Sequence, residues 1–275
     1  MATLHSLAGR TAAITGGSRG IGLAIASWFA REGAKVVLLG RDKSTLEHAL
    51  GGLSGSGAVE VSSSRRERNT ISHQRQEHAF FVHDVRDAKS WTEVAVAHVR
   101  LCSPNIDILV NCAGVSQSSL LVKTSPADVE DILATNLQGA IWGCKVIGRQ
   151  MIAGSRRQKQ SGDPSSRCII NVSSLLAHKG IVGTSVYAAS KAGLLGLTTS
   201  LAQEYGAHSI RVNAIVPGYI TSDMTKDAGT AELIKKIPLN RFGTPDEIAD
   251  AALFLARNPY ANNCILNLDG GLSAT

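Results

Sequence analysis

Near the start of the chain stands Thr11-Ala12-Ala13-Ile14-Thr15-Gly16-Gly17-Ser18-Arg19-Gly20-Ile21-Gly22: a short apolar run, a glycine-rich turn, and then residues 23–31 with apolar side chains at helical spacing. Strand, glycine turn and helix in that order form the context that a dinucleotide-binding loop requires. Gly16 permits the turn, Gly20 lets backbone N–H groups approach a pyrophosphate, and Gly22 lets helix and strand pack closely. Gly16, Ser18, Arg19, Gly20, Ile21 and Gly22 are therefore candidate cofactor contacts. The spacing is G-x-x-x-G-x-G rather than G-x-G-x-x-G, so the loop by itself is a weak signal. A purely structural turn is its rival reading.

The next apolar run, 35–39, reads as a second buried strand. A site that prefers NAD usually places an acid at the end of this strand for the ribose 2′-hydroxyl. Here the strand runs into Gly40-Arg41, and a guanidinium pairs well with a 2′-phosphate. Arg41, with Arg19 in the glycine loop, thus favours NADPH; a solvated loop cation is the plainer alternative. Asp42 follows as a helix N-cap, with an inward contact to the ribose as the competing idea.

Farther along, runs at 79–82 and 106–110 read as strands flanking a helix near 90–99. Their exits carry Asp84-Val85 and Asn111-Cys112-Ala113-Gly114, at the carboxyl ends of strands where open α/β sheets hold ligands. Asp84 suits the adenine amino group and Asn111 suits a tie between strands, against the reading of each as a turn residue bonding its own backbone. Residues 126–151 read as one long helix with Asn136 in its middle and Gly139 just after it. Asn is a mediocre interior helix former, and a tolerated polar residue is expected there rather than a local distortion. Strand 168–172 ends in Ser173-Ser174, a helix through Tyr205 carries Tyr187 and Lys191, and strand 211–216 leads to Pro217-Gly218-Tyr219-Ile220-Thr221. A helical lid is expected at 225–236, a helix start at Thr244-Pro245-Asp246-Glu247, and a last strand at 265–268.

Strands alternating with helices, without internal repeat, imply an α/β fold: a Rossmann-type doubly wound parallel sheet of about seven strands with helices on both faces. The expectation is one domain over 1–275 with loop insertions near 51–77 and 154–167, both polar and without periodicity.

Composition narrows the classes. With 275 residues, 44% of them hydrophobic, the chain can bury a full core, and its 27 glycines suit tight strand–helix turns. The five cysteines are scattered without a CxxC and read as reduced thiols. His73, His78 and His83 lack a ligand spacing, so no metal is expected. No apolar run is long enough to span a membrane, and the residues ahead of Thr11 are too few for a secretory signal. A soluble intracellular protein is expected, in the mitochondrial matrix or the cytoplasm. Half of the net charge of +6 lies at 155–167, where Arg156, Arg157, Lys159 and Arg167 face one Asp163 without interleaved aromatics. That excludes a base-stacking platform and points to an anionic small molecule or acidic partner rather than nucleic acid.

Chemistry enters with Tyr187-Ala188-Ala189-Ser190-Lys191. A Tyr and a Lys four apart on a helix share one face. A free phenol, with a pKa of about 10, is a poor acid at neutral pH, and a neighbouring ammonium stabilises its phenolate. An ordinary surface pair has the same spacing; the company of the other motifs separates the two.

Together, Thr15-Gly16-x-x-x-Gly20-x-Gly22, Asn111-x-Ala113-Gly114, Asn136, Ser174, Tyr187-x-x-x-Lys191 and Pro217-Gly218 resemble the short-chain dehydrogenase/reductase family across nearly the whole chain outside the two insertions. The segments 221–225 and 237–243 look like those of 3-oxoacyl-[acyl-carrier-protein] reductases and their carbonyl-reductase relatives. The resemblance implies a catalytic set of Asn136, Ser174, Tyr187 and Lys191. Tyr187 would protonate a carbonyl oxygen, Lys191 would tune it and hold the nicotinamide ribose, Ser174 would bond the substrate oxygen, and Asn136 would hold a water linking Lys191 to solvent. Pro217, Gly218, Ile220 and Thr221 would border the nicotinamide.

By the same resemblance the protein is an NADPH-dependent ketoreductase acting on a 3-oxoacyl thioester, carried by acyl-carrier protein or CoA. A broad carbonyl, quinone or secondary-metabolite ketoreductase is the alternative. A homotetramer through the helices at 126–151 and 186–205 is also implied. Two departures stand out. The segment Ala207-His208-Ser209 lacks the cation that carrier-docking relatives place there, and Ala261-Asn262-Asn263 replaces a glycine-containing turn.

Overall fold

The computed structural model describes residues 7–53, 78–101, 106–161, 167–222 and 230–274. Seven strands form one sheet: β1 (Thr11–Thr15), β2 (Lys35–Gly40), β3 (His78–Val82), β4 (Ile108–Asn111), β5 (Arg167–Val172), β6 (Ile210–Pro217) and β7 (Ile265–Leu268). Their order is β3-β2-β1-β4-β5-β6-β7, and every pairing is parallel. The chain winds outward from β1 to β3, then returns and winds the other way from β4. The crevice for a ligand lies at that reversal, beyond the carboxyl ends of β1 and β4.

Eight α-helices accompany the strands among the described residues: α1 (Gly20–Arg31), α2 (Lys43–Gly51), α3 (Ala88–Leu101), α4 (Pro126–Leu133), α5 (Gly139–Ser161), α6 (Ser185–Gly206), α7 (Thr230–Lys236) and α8 (Pro245–Arg257). Alternate side chains of each strand serve opposite cores. Ile14, Val36, Leu38, Val110 and Ile170 meet Ile25, Phe29 and Leu255 on one face. Ala13, Val37, Leu39, Leu109 and Ile169 meet Trp91, Ile147, Met151 and Leu201 on the other. Covered on both faces, the central strands read as near-continuous apolar runs instead of alternating, while β7 at the sheet edge is only partly covered. Each fully buried Leu or Ile contributes about 1.5–3 kcal/mol.

Local signals explain the element starts. Asp42 caps α2, its carboxylate accepting from the Thr45 amide at 2.8 Å. This is the capping alternative rather than the inward one. Thr244 and Glu247 form a reciprocal capping box at α8, behind Pro245. Three expectations need correction. The helix expected over 126–151 is broken: α4 passes into a π-helical turn, Ala134–Gln138, before α5 begins. Asn136 lies inside that turn, so local distortion, not a tolerated polar residue, is the outcome. The 154–167 insertion is not a loop throughout, because α5 carries helix on to Ser161; residues 162–166 lie outside the described residues, as do 54–77 of the other insertion, with His73, and 223–229 of the expected lid. Within the described part of that lid, α7 occupies Thr230–Lys236.

The substituted turn before β7 works by a different route. Asn263 adopts φ +57, a left-handed conformation that Asn tolerates better than most residues. The Asn262 side chain accepts from Val212 N at 2.9 Å and donates to the Ala202 carbonyl at 3.0 Å. β7 then pairs with β6 in ordinary parallel register, Ala214 opposite Ile265.

Candidate active site

The glycine loop closes against the exit of β4. Gly16 has φ +64, and a Cβ there would lie 3.0 Å from Ala113 Cα. A Cβ on Gly22 would overlap the Gly16 carbonyl. Thr15 stitches the two exits together: its hydroxyl accepts from Cys112 N at 2.9 Å and Ala113 N at 3.0 Å. Gly20 (φ +54) meets nothing within 4 Å, and Arg19 is extended, with no side-chain cap on α1. The first turn of α1 therefore offers uncapped N–H groups to the cleft, the arrangement that binds phosphate. Arg19 and Arg41 are exposed, and β2 ends on Gly40 without an acid. A backbone cradle too tight for side chains, a helix N-terminus and two cations fit a dinucleotide.

At the exit of β3 the side chains are tied to one another and to α4. Asp84 does bond its own turn, accepting from Arg86 N at 3.0 Å, but its carboxylate is also held by the Arg86 guanidinium, with Nη2 at 2.6 Å. That pairing holds its pKa below the ordinary carboxylate value. Arg86 reaches Asp131 of α4 as well, at 2.5 Å. Val85, beside it, packs in the core and accepts from the Trp91 indole through its carbonyl at 3.0 Å. Asn111 ties strands: its Nδ2 donates to Asn171 Oδ1 at 2.8 Å, and Asn171 continues to Thr198 of α6 at 2.9 Å. The Asn111 amide nitrogen is thus committed between strands, while its Oδ1 is buried without a hydrogen-bond partner among the described residues.

Lys191, only 5% exposed, donates from Nζ to the Val172 carbonyl at 2.9 Å. Ser173 Oγ donates to the Lys191 carbonyl at 2.8 Å, which fixes α6 against the exit of β5. Tyr187 is half-buried, with Lys191 Nζ 5.8 Å from its ring centroid. Ser190, between them in sequence, donates to Tyr187 O at 2.6 Å and accepts from Asn136 Nδ2 at 3.1 Å. Asn136 also clasps Val115, accepting from its N–H at 2.8 Å and donating to its carbonyl at 3.0 Å. A Cβ on Gly114 would sit 3.3 Å from Asn136 Oδ1 and 3.4 Å from Lys191 Nζ, so Gly114 is the gap through which those groups approach. The π-helical turn widens the helix by one residue per turn and delivers Asn136 to this spot. Ser174 caps a short 3-10 turn, Leu175–Ala177, with Oγ accepting from Leu176 N at 3.2 Å.

On the remaining side, Gly218 lies so close to Asp269 that a Cβ would stand 2.7 Å from its Cα. Pro217 ends β6, Ile220 bridges to Gly243, and Thr221 N donates to the Gly243 carbonyl at 2.9 Å. Burial pushes the Cys112 thiol up to about 11, with the Lys191 ammonium acting in the opposite direction. His78 Nδ1 accepts from Val36 N and His83 Nδ1 pairs with Ser90 Oγ. Among the described residues no group of three His, Cys, Asp or Glu side chains could hold a metal. The tertiary structure thus brings Asn136, Gly114, Tyr187 and Lys191 together. Sequence reasoning missed Ser190, which links Asn136 to Tyr187, and Arg86, which links Asp84 to Asp131.

A nucleotide-type cleft at the switch point, with a Tyr and a buried Lys on one helix, defines a class of α/β oxidoreductases. The comparisons identify which. A family model described as Enoyl-(Acyl carrier protein) reductase matches residues 57–273, and one described as short chain dehydrogenase matches residues 10–63. The chain belongs to the short-chain dehydrogenase/reductase family, whose members use a nicotinamide cofactor. It is 38% identical to a carbonyl reductase family member 4 from Xenopus laevis, covering 96% of this chain and 98% of that one. It is 37% identical to a 3-oxoacyl-[acyl-carrier-protein] reductase from Homo sapiens at the same coverages, 96% and 98%. Among solved structures it is similar to a gluconate 5-dehydrogenase from Burkholderia cenocepacia in complex with NADP and tartrate, with TM-score 0.81 at 27% identity, covering 98% of this chain and 97% of that one.

Proposed function

We propose that this oxidoreductase is an NADPH-dependent ketoreductase of one catalytic domain that reduces 3-oxoacyl thioesters, with an acyl-carrier protein or CoA as carrier, to 3-hydroxyacyl products. The observation that carries the reading is Lys191 and Asn136 meeting at Gly114, with Tyr187 joined to them through Ser190 and its ring centroid 5.8 Å from the Lys191 ammonium, which is anchored at the Val172 carbonyl. A dinucleotide would be held by Gly16, Ser18, Gly20, Ile21 and the first turn of α1, with Pro217, Gly218, Ile220 and Thr221 along the nicotinamide. When bound it supplies hydride to the carbonyl carbon. Tyr187 donates its hydroxyl proton to the carbonyl oxygen, which leaves a phenolate. Lys191 stabilises that charge, and Ser174 Oγ orients the oxygen. Asn136 holds the water through which solvent returns the proton. NADPH is supported by Arg19 and Arg41 and by the occupation of Asp42 in capping α2.

A second reading, reduction of carrier-free carbonyls or quinones, is favoured by His208 at the place of the docking cation and by the carbonyl reductase relative. A substrate panel with NADPH and NADH side by side tests both readings. Acetoacetyl thioester should be turned over with NADPH, and Tyr187→Phe should lose about a hundredfold or more in kcat. Equal turnover by parent and Tyr187→Phe refutes the assignment, and a preference for an aromatic quinone over the thioester selects the second reading.

A further inference from the structure

Gln117 is buried in the loop between β4 and α4 and was not among the residues singled out from the sequence. Its Oε1 accepts from Val186 N at 2.8 Å and from Tyr187 N at 3.1 Å. These amides belong to the first turn of α6, where no intrahelical carbonyl can satisfy them. Thr184, which stands in the N-cap position, makes no side-chain cap; its hydroxyl donates to the Ile181 carbonyl at 2.7 Å. Gln117 therefore performs the capping that a neighbouring Ser, Thr, Asp or Asn ordinarily performs.

Its other end faces the loop. Nε2 donates to the Ser119 carbonyl at 3.2 Å and to Thr124 Oγ1 at 3.1 Å, while Ser119 N donates to the Gly183 carbonyl at 3.1 Å. One amide side chain thus joins the loop that bears the exposed Leu121 and Val122 to the turn that bears Tyr187.

We propose that Gln117 is a positioning residue for Tyr187. By accepting the N–H of Tyr187 itself, it sets the height and heading of that helical turn and so aims the phenol across the cleft, while Lys191 is fixed separately at Val172. This rests on the reading of Tyr187 as the proton donor. An apolar residue at 117 would leave two amides in a buried place without an acceptor, and the turn would shift to find one.

The test measures kcat, KM and NADPH affinity for the parent, Q117A and Q117E, together with amide hydrogen exchange over residues 184–190. Q117A should lose about tenfold or more in kcat, because small displacements of a reacting group are costly, with carbonyl KM and NADPH affinity within about threefold. Q117E keeps an acceptor for both amides but gives up the donations to Ser119 and Thr124, so it should recover part, not all, of the kcat that Q117A loses. Q117M, close in shape to glutamine, replaces Q117A where that variant does not fold. The proposal is overturned if Q117A keeps the parent kcat. It is also overturned if kcat and cofactor affinity fall while KM rises, and Q117E does no better. Exchange needs no turnover: faster exchange confined to the first turn of α6 in Q117A supports the proposal, and unchanged exchange defeats it. A parent that binds NADPH yet reduces no carbonyl defeats the ketoreductase reading instead, and the exchange result then decides the hold of Gln117 on the turn.

Discussion

Arg41 stands exposed where β2 leaves the sheet, and Asp42 beside it is spent on Ser44 and Thr45. A guanidinium on a 2′-phosphate is a charge-assisted contact of about 1.5–3 kcal/mol. Arg41→Ala should therefore raise KM for NADPH about tenfold or more while leaving KM for NADH nearly unchanged; equal effects on both cofactors would remove Arg41 from the cofactor site. His83 gives a second prediction. Burial lowers its pKa to about 4, with Asp84 and Asp87 opposing, and its Nε2 is buried without a hydrogen-bond partner among the described residues. An unfolded His takes up its proton near 6.5, so this stability is complete above that pH and is lost as pH falls toward 4. The loss amounts to about 3 kcal/mol at most. Denaturant melts of parent and His83→Asn at pH 7.5 and 4.5 should converge at the lower pH; a constant gap would show that His83 is not the titrating group.

Elements are held by bonds that their own sequences do not announce. Arg211 of β6 donates to the carbonyls of Leu255 at 2.6 Å, Ala256 at 2.9 Å and Ala261 at 3.0 Å, closing the C-terminal end of α8. Arg211→Met removes one donor from each of these carbonyls, which keep Cys168 Sγ on Leu255, Arg10 Nη1 on Ala256 and Asn213 Nδ2 on Ala261. It should cost about 1–3 kcal/mol, read as a lower denaturation midpoint with cofactor affinity retained. Strand positions were legible because strands buried on both faces are nearly continuous apolar runs, as at Thr11–Thr15 ahead of its glycine turn and at residues 168–172 ahead of Ser173-Ser174. The broken helix around Asn136 was not. A π-helical turn has no local sequence pattern strong enough to outweigh helix periodicity, and only the clasp on Val115 and Ser190 shows what the distortion achieves. Residues 154–161 read as a solvated loop because they are polar throughout, yet they continue a helix already nucleated by the buried face of α5.

For the whole molecule, the exposed Leu133 and Ile141, both 37% exposed, lie on α4 and α5, within the 126–151 segment through which the family resemblance implies a homotetramer. Light scattering should give a mass near four times 28.9 kDa, and Ile141→Asp should lower it. A monomeric parent would refute that assembly. No helix among the described residues is long and apolar enough to cross a membrane. The sequence by itself determined the alternation of strands and helices, the glycine turn, and the Tyr–Lys pair on one face of one helix. These follow from hydrophobic period, backbone freedom and helical spacing, all of which act over a few residues. Only the tertiary structure decided which distant groups meet them. Asn136, Gly114, Gln117 and the Val172 carbonyl reach the first half of α6 from three other segments, because the switch in strand order brings those chain ends together. Contacts of that kind are set by how the layers pack, and no short stretch of sequence records them.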